Sequence, residues 1–196
     1  MADVLSRAKL ARAASRLNAG GLVLMTDDLR LPDPLAAVRA LPPGSLLIVR
    51  ARDAARRAQL SMQLRTIAWR RGLILLIADD PSLARAIGAN GLHLPEARAR
   101  EAAHWRAKNP GWLITASAHS LRAVLVAEGA DAVLLSPVFT TQSHRKLSPL
   151  TPARARLIAR GVTTPLFALG GVTAQNAVLL SGFAGIAAIG ALSSKF

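Results

Sequence analysis

The chain has 196 residues, no cysteine, and 25 Lys and Arg against 11 Asp and Glu, for a formal net charge of +14. With 52% hydrophobic and only 4% aromatic residues, it can bury a large core of Leu, Ile, Val and Ala in one α/β domain. Disulfides and thiolate zinc sites are excluded, and no apolar run reaches the ~18 residues of a membrane span.

The first ten residues carry charges throughout and lack the apolar centre of a signal peptide, so a cytoplasmic location is expected. The positive charge does not read as a nucleic-acid surface. Only Lys9, Lys108, Lys146 and Lys195 are lysines, and arginines such as Arg56, Arg57, Arg98, Arg100, Arg154 and Arg156 are spread over several helices. They form no stripe and carry no interleaved aromatics. A basic chain does attract phosphorylated and other anionic small molecules.

In chain order, a leading helix is expected over residues 4–17. Apolar runs follow at 21–26, 45–50, 73–78, 91–94, 112–116, 131–136, 164–169 and 185–190. Most are uniformly apolar, as strands buried on both faces are. Between them, helical spacing of Ala, Leu and Arg occupies 53–70, 81–87, 96–108, 120–128 and 151–160. Eight strand-helix alternations point to a single (β/α)8 barrel over residues 1–196. An open doubly wound sheet is the second reading. The repeats Gly-Ala-Asn at 88–90 and Gly-Ala-Asp at 129–131 read as αβ turns at the barrel's bottom, each glycine taking a left-handed C′ position.

A barrel builds its site where the strands end. That rule selects Thr26, Asp27 and Asp28 after the first strand. It selects Arg50 and Arg52 after the second, Asp79 and Asp80 after the third, and His93 and Glu96 after the fourth. Ser117 and His119 follow the fifth strand. Two arginines on one rim suit an anionic substrate, unless one of them pairs with an acid such as Asp79 or Asp28. Asp80 precedes Pro81 and is placed to cap a helix, which leaves Asp79 as a metal-ligand candidate. His93 alternates with leucines and reads as a hydrogen-bonded core histidine; His104 reads as surface. The loop after the sixth strand, with Thr140, Thr141, His144, Arg145 and Lys146, is polar and basic and suits a mobile cover. Gly170 and Gly171 end the seventh strand, and Thr173 can cap a following helix. Ile189 and Gly190 end the eighth. Two strand-glycine-helix units at the chain's end suggest a phosphate cradle of backbone N–H groups.

The ordered motifs Leu-Ile-Ala-Asp-Asp, Gly-Ala-Asn-Gly-Leu-His-Leu-Pro-Glu, Ala-Ser-Ala-His-Ser, Gly-Ala-Asp-Ala-Val-Leu-Leu-Ser-Pro-Val-Phe-Thr-Thr and Ala-Leu-Gly-Gly-Val-Thr-Ala-Gln-Asn-Ala resemble thiamine-phosphate synthase and its relative, the thiazole tautomerase. The resemblance runs from about residue 22 and is strongest over 88–191. It implies a dimeric (β/α)8 barrel that joins hydroxymethylpyrimidine diphosphate to a thiazole phosphate, releasing pyrophosphate, with Mg²⁺ on the diphosphate. It implies diphosphate and catalytic roles for Arg50, Arg52, Ser117 and Lys146. Thr140, Thr141, His144, Gly170, Gly171, Ile189 and Gly190 would bind substrate, and Asp79 would bind metal. The pattern departs in three places. Ala78 replaces a base-recognising asparagine, Arg98 stands where the second metal aspartate falls, and Pro137 stands where the tautomerase has its catalytic histidine. The alternatives are a non-catalytic or regulatory barrel that keeps only the phosphate site, or a thiazole tautomerase-like isomerase.

Overall fold

In the computed structural model, residues 21–140, 149–173 and 175–189 are described; the expected helix over 4–17 lies outside them. Eight parallel strands close into a barrel: β1 Gly21–Met25, β2 Leu46–Val49, β3 Ile74–Ala78, β4 Gly91–Leu94, β5 Leu113–Ala118, β6 Ala132–Leu135, β7 Leu166–Leu169 and β8 Gly185–Ala188. Each strand pairs with its sequence neighbour. The cylinder is sealed where β1 meets β8, with Gly21 opposite Gly185 and Leu24 opposite Ala188. An open sheet would leave those two strands as edges, so the second reading falls.

Closure explains why the strands are apolar throughout. Side chains alternate across a strand. Val23, Met25, Leu46, Ile48, Leu76, Leu134 and Phe167 fill the interior. Their neighbours Leu24, Leu47, Val49, Leu75 and Ile77 face outward beneath the helices. Both sets are buried.

The helices are α1 Leu35–Ala40, α2 Ala54–Arg71, α3 Pro81–Ala86, α4 Ala102–Lys108, α5 Leu121–Val126 and α6 Pro152–Gly161. Asp53 caps α2 by accepting from the Arg56 N–H, and Gly72, left-handed at φ 63°, ends it. Asp80 caps α3 ahead of Pro81 as expected, accepting from the Leu83 N–H at 2.9 Å.

The structure departs from the sequence reading in three elements. The short α1 was not expected, because prolines at 32, 34, 42 and 43 crowd both its ends. The segment 96–108 divides into a 3₁₀ turn, Glu96–Glu101, and then α4. After β7 the helix is reduced, among the described residues, to one 3₁₀ turn, Ala177–Leu179. The N-cap of that turn is Asn176, which makes no side-chain cap bond, so the turn is not capped by Thr173. The Thr173 N–H donates to Asn176 Oδ1 at 2.8 Å, and its Oγ1 accepts from the Asn176 N–H at 3.3 Å.

The two Gly-Ala-Asx turns do lie at the bottom of the barrel, and their Asx side chains tie adjacent strands. Asn90 Oδ1 accepts from the Leu75 N–H of β3, and Asp131 Oδ2 from the Ile114 N–H of β5. Gly88 is left-handed at φ 64° as expected. Gly129 is not. It is glycine because a Cβ there would meet the Ala103 nitrogen of α4 at 2.7 Å.

Candidate active site at the barrel mouth

Arg50 leaves β2 clasped from the first strand. Thr26 Oγ1 donates to the Arg50 carbonyl at 2.8 Å and accepts from its N–H at 2.9 Å. Asp27, 9% exposed, accepts from Arg50 Nη1 at 2.8 Å and Arg30 Nη2 at 2.9 Å. It also accepts from the Leu29 and Arg30 N–H groups. Burial pushes the Asp27 carboxyl up, but these donors outweigh it and hold the group well below the usual carboxylate range. The acid that pairs with Arg50 is therefore Asp27, not Asp79 or Asp28. Arg52 differs. Its N–H donates to Asp28 Oδ2 at 2.8 Å, while its guanidinium makes no hydrogen bond among the described residues.

Both arginines line the mouth. A cavity of about 270 Å³ takes in Arg50, Arg52, Arg57, Asp79, His93 and Ser117. A neighbouring one of about 610 Å³ shares Arg50, Arg52 and Ser117 and reaches His119, Ser136, Leu169 and Ile189. The structure thus brings together Arg50, Arg52, Ser117, Asp79 and Ile189.

His93 is the core histidine that its alternation with leucines predicts. Its Nδ1 lies 2.8 Å from Thr115 Oγ1 and its Nε2 2.9 Å from Ser117 Oγ. Burial, with the nearby Arg50 charge, pushes its pKa down to about 3. A neutral imidazole donates from one nitrogen and accepts at the other. The chain Thr115–His93–Ser117 therefore fixes the Ser117 hydroxyl at the cavity wall. Thr115 was missed from the sequence. Its signal is the two-residue spacing to Ser117, which puts both on one face of β5. His119 Nδ1 is 2.8 Å from the Ser136 carbonyl, so that nitrogen carries the hydrogen, and the His119 N–H donates to Glu96 at 2.6 Å. His104 is exposed, edge-on to Trp105.

Asp79 takes φ 56° and receives Arg98 Nη1 on Oδ1 at 2.5 Å. Arg98 is itself forked onto Glu101, Nε to Oε1 at 2.8 Å and Nη2 to Oε2 at 2.7 Å. Trp105 Nε1 donates to the same Glu101 at 3.0 Å. These contacts lower the Glu101 pKa to about 2. Mg²⁺ demands near-octahedral oxygen donors. The donor set here is one carboxylate already held by a cation, and no group of three His, Asp or Glu among the described residues could hold a metal. The residues present do not fit Mg²⁺.

Gly170 and Gly171 are left-handed at φ 92° and 67°. Their first reason is the chain itself. A Cβ on Gly170 would meet Pro137 Cα at 2.9 Å, and one on Gly171 the Thr140 carbonyl oxygen at 2.4 Å. The loop after β6 is pinned to this turn, Val138 N–H donating to Leu169 and Phe139 N–H to Gly170, both at 3.0 Å. The Gly171 carbonyl accepts from Asn176 Nδ2 at 2.9 Å. The N–H groups of Gly170 and Gly171 donate to nothing among the described residues. Thr140 thus lies with its carbonyl oxygen packed against Gly171, and no described contact shows its side chain in the site. Thr141, His144, Lys146 and Gly190 lie outside the described residues.

A closed eight-stranded parallel barrel with polar side chains at the C-terminal ends of its strands defines the molecule as a (β/α)8 barrel. A family model described as thiamine monophosphate synthase matches residues 12–192, and the chain belongs to that family. It is 34% identical over 180 residues to a thiamine-phosphate synthase of Chlorobium luteolum, covering 88% of this chain and 84% of that protein. It is 35% identical over 117 residues to a putative thiamine-phosphate synthase 2 of Aquifex aeolicus, spanning 59% of this chain and 62% of that one. A thiamine phosphate pyrophosphorylase from Pyrococcus furiosus superposes with TM-score 0.71 at 25% identity, over 88% of this chain and 87% of that one.

Proposed function

We propose that the barrel mouth joins hydroxymethylpyrimidine diphosphate to a thiazole phosphate, a transferase step of thiamine biosynthesis. The carrying observation is the Gly170–Gly171 turn. Its Cβ sides are closed by residues 137–140, and its N–H groups are left without a described partner beside a cavity lined by Leu169 and Ile189. Such N–H groups suit a phosphate. Arg50 and Arg52 take the diphosphate, with the Ser117 hydroxyl beside them. In the reaction the bond from the pyrimidine methylene carbon to the diphosphate oxygen breaks, and pyrophosphate leaves with the electron pair. The thiazole nitrogen gives its lone pair to the same carbon. The arginines stabilise the charge that collects on the leaving group.

The homodimer implied by the resemblance would find exposed apolar side chains on α5 and on α6, Leu125 at 59% and Leu157 at 74% exposure. The tied Asp79–Arg98 pair favours one second reading, a barrel that binds phosphate ligands without turnover.

Purified protein given both substrates should form thiamine phosphate, read by fluorescence after oxidation. Absence of product, with thiazole phosphate still raising the melting temperature, would select the second reading. Arg52→Ala should weaken pyrimidine diphosphate binding about 10- to 100-fold by calorimetry, the worth of one charge-assisted hydrogen bond. Thiazole phosphate affinity should change little.

A further inference from the structure

Arg98 occupies the place where a metal would be needed, and it is built in. Its guanidinium reaches Asp79 on one side and Glu101 on the other, and Glu101 is braced by Trp105. Arg98 uses three of its five N–H donors on these two carboxylates, so the cation is oriented by the fold. Asp79 lines the same cavity as Arg50, Arg52 and Arg57. A bare carboxylate on that wall would repel a diphosphate. With the Arg98 charge 2.5 Å away, its field is largely cancelled. Arg57 is tied to Asp80 at 3.3 Å and Arg50 gives one of its donors to Asp27, while the Arg52 guanidinium keeps all of its donors for the anion beside the remaining ones of Arg50.

We infer that Arg98 replaces a divalent cation at Asp79, so that this mouth binds diphosphate without metal. Arg98 acts through Asp79 as a positioning residue, by removing the carboxylate's repulsion. The inference rests on the reading of this cavity as a diphosphate site. It goes beyond that reading by making the site's electrostatics independent of Mg²⁺. Any Mg²⁺ arriving at Asp79 must first displace a guanidinium that is held on both sides.

The test is calorimetric titration of the full-length protein with inorganic pyrophosphate, once in EDTA and once in excess Mg²⁺. The expected result is binding in EDTA, with an affinity within about threefold of that in Mg²⁺. Arg98→Asp should weaken binding in EDTA by about tenfold or more, and Mg²⁺ should restore it, since the variant faces Asp79 with a second carboxylate. A loss of fold alone would not create that metal response. Binding by the parent protein only in Mg²⁺, or in neither condition, overturns the inference, as does an Arg98→Asp protein that binds in EDTA like the parent. The two readings fail separately. Metal-free pyrophosphate binding without thiamine phosphate formation removes the coupling activity and keeps the role of Arg98. Thiamine phosphate formation only with Mg²⁺ does the reverse.

Discussion

Gly171→Ala should unfold at a markedly lower denaturant concentration than the parent, by about 2–4 kcal/mol. Two costs combine. The backbone at φ 67° disfavours any Cβ by about 1 kcal/mol. The added methyl would also lie 2.4 Å from the Thr140 carbonyl oxygen and 2.8 Å from Phe139 Cβ, and backbone cannot yield as a flexible side chain does. The loop after β6 must move away, which disturbs the N–H groups offered to a phosphate. The stability loss should therefore come with weaker thiazole phosphate binding. Gly161→Ala is the control. It lies at the end of α6 with nothing within 4 Å of the built Cβ, and alanine there should be neutral or stabilising by up to about 1 kcal/mol. Urea unfolding of the three proteins decides the matter; equal losses at both positions would refute the argument.

The second large effect is on pH dependence. His93 is neutral in the fold, its pKa lowered to about 3 by burial and then by Arg50, whereas the unfolded chain takes a proton near 6.5. The lowered value means the unfolded state binds the extra proton first. Stability is fully present above the unfolded value and falls by about 1.4 kcal/mol per unit as pH drops from 6.5 toward 3. Between pH 6.5 and 4.5 that amounts to about 2–3 kcal/mol. Asp27 adds its own loss only at lower pH, below the ordinary carboxylate value, because its carboxyl is also lowered. His93→Gln keeps an acceptor and a donor for Thr115 and Ser117 but does not titrate. Urea midpoints at pH 7, 5.5 and 4.5 should show the parent losing stability faster than this variant. Parallel curves would mean that the imidazole protonates freely in the fold.

The barrel was legible because burial on both faces leaves a simple trace, a uniformly apolar run between capped helices. What blurred was local. The prolines around α1 suppress helical periodicity without preventing a six-residue helix. The turn over Glu96–Glu101 looks like the start of α4 because, over six residues, a repeat of 3.0 cannot be told from one of 3.6. At the site, the rim residues followed from the strand ends alone. Their partners did not, because pairing depends on which neighbours the closed cylinder brings opposite. Arg50 meets Asp27 across β1 and β2, and Asp79 meets Arg98 from the turn after β4. The departure at Arg98 was visible as a cation in a carboxylate's position. Its second anchor, Glu101, was not, since it needs the 3₁₀ turn to bring residues three apart together.

The glycine turn is locked to its neighbouring loop through backbone atoms, whereas Asp79 and Arg98 are joined only by side-chain tips, 45% and 34% open to solvent. Evolution is therefore free at one place and bound at the other. On the proposed role of Arg98, exchanging metal for guanidinium asks only for rim codons to change while the scaffold stays untouched, but any drift at residue 171 demands a simultaneous concession from 139 and 140. Ion dependence should vary among relatives long before the loop seam does.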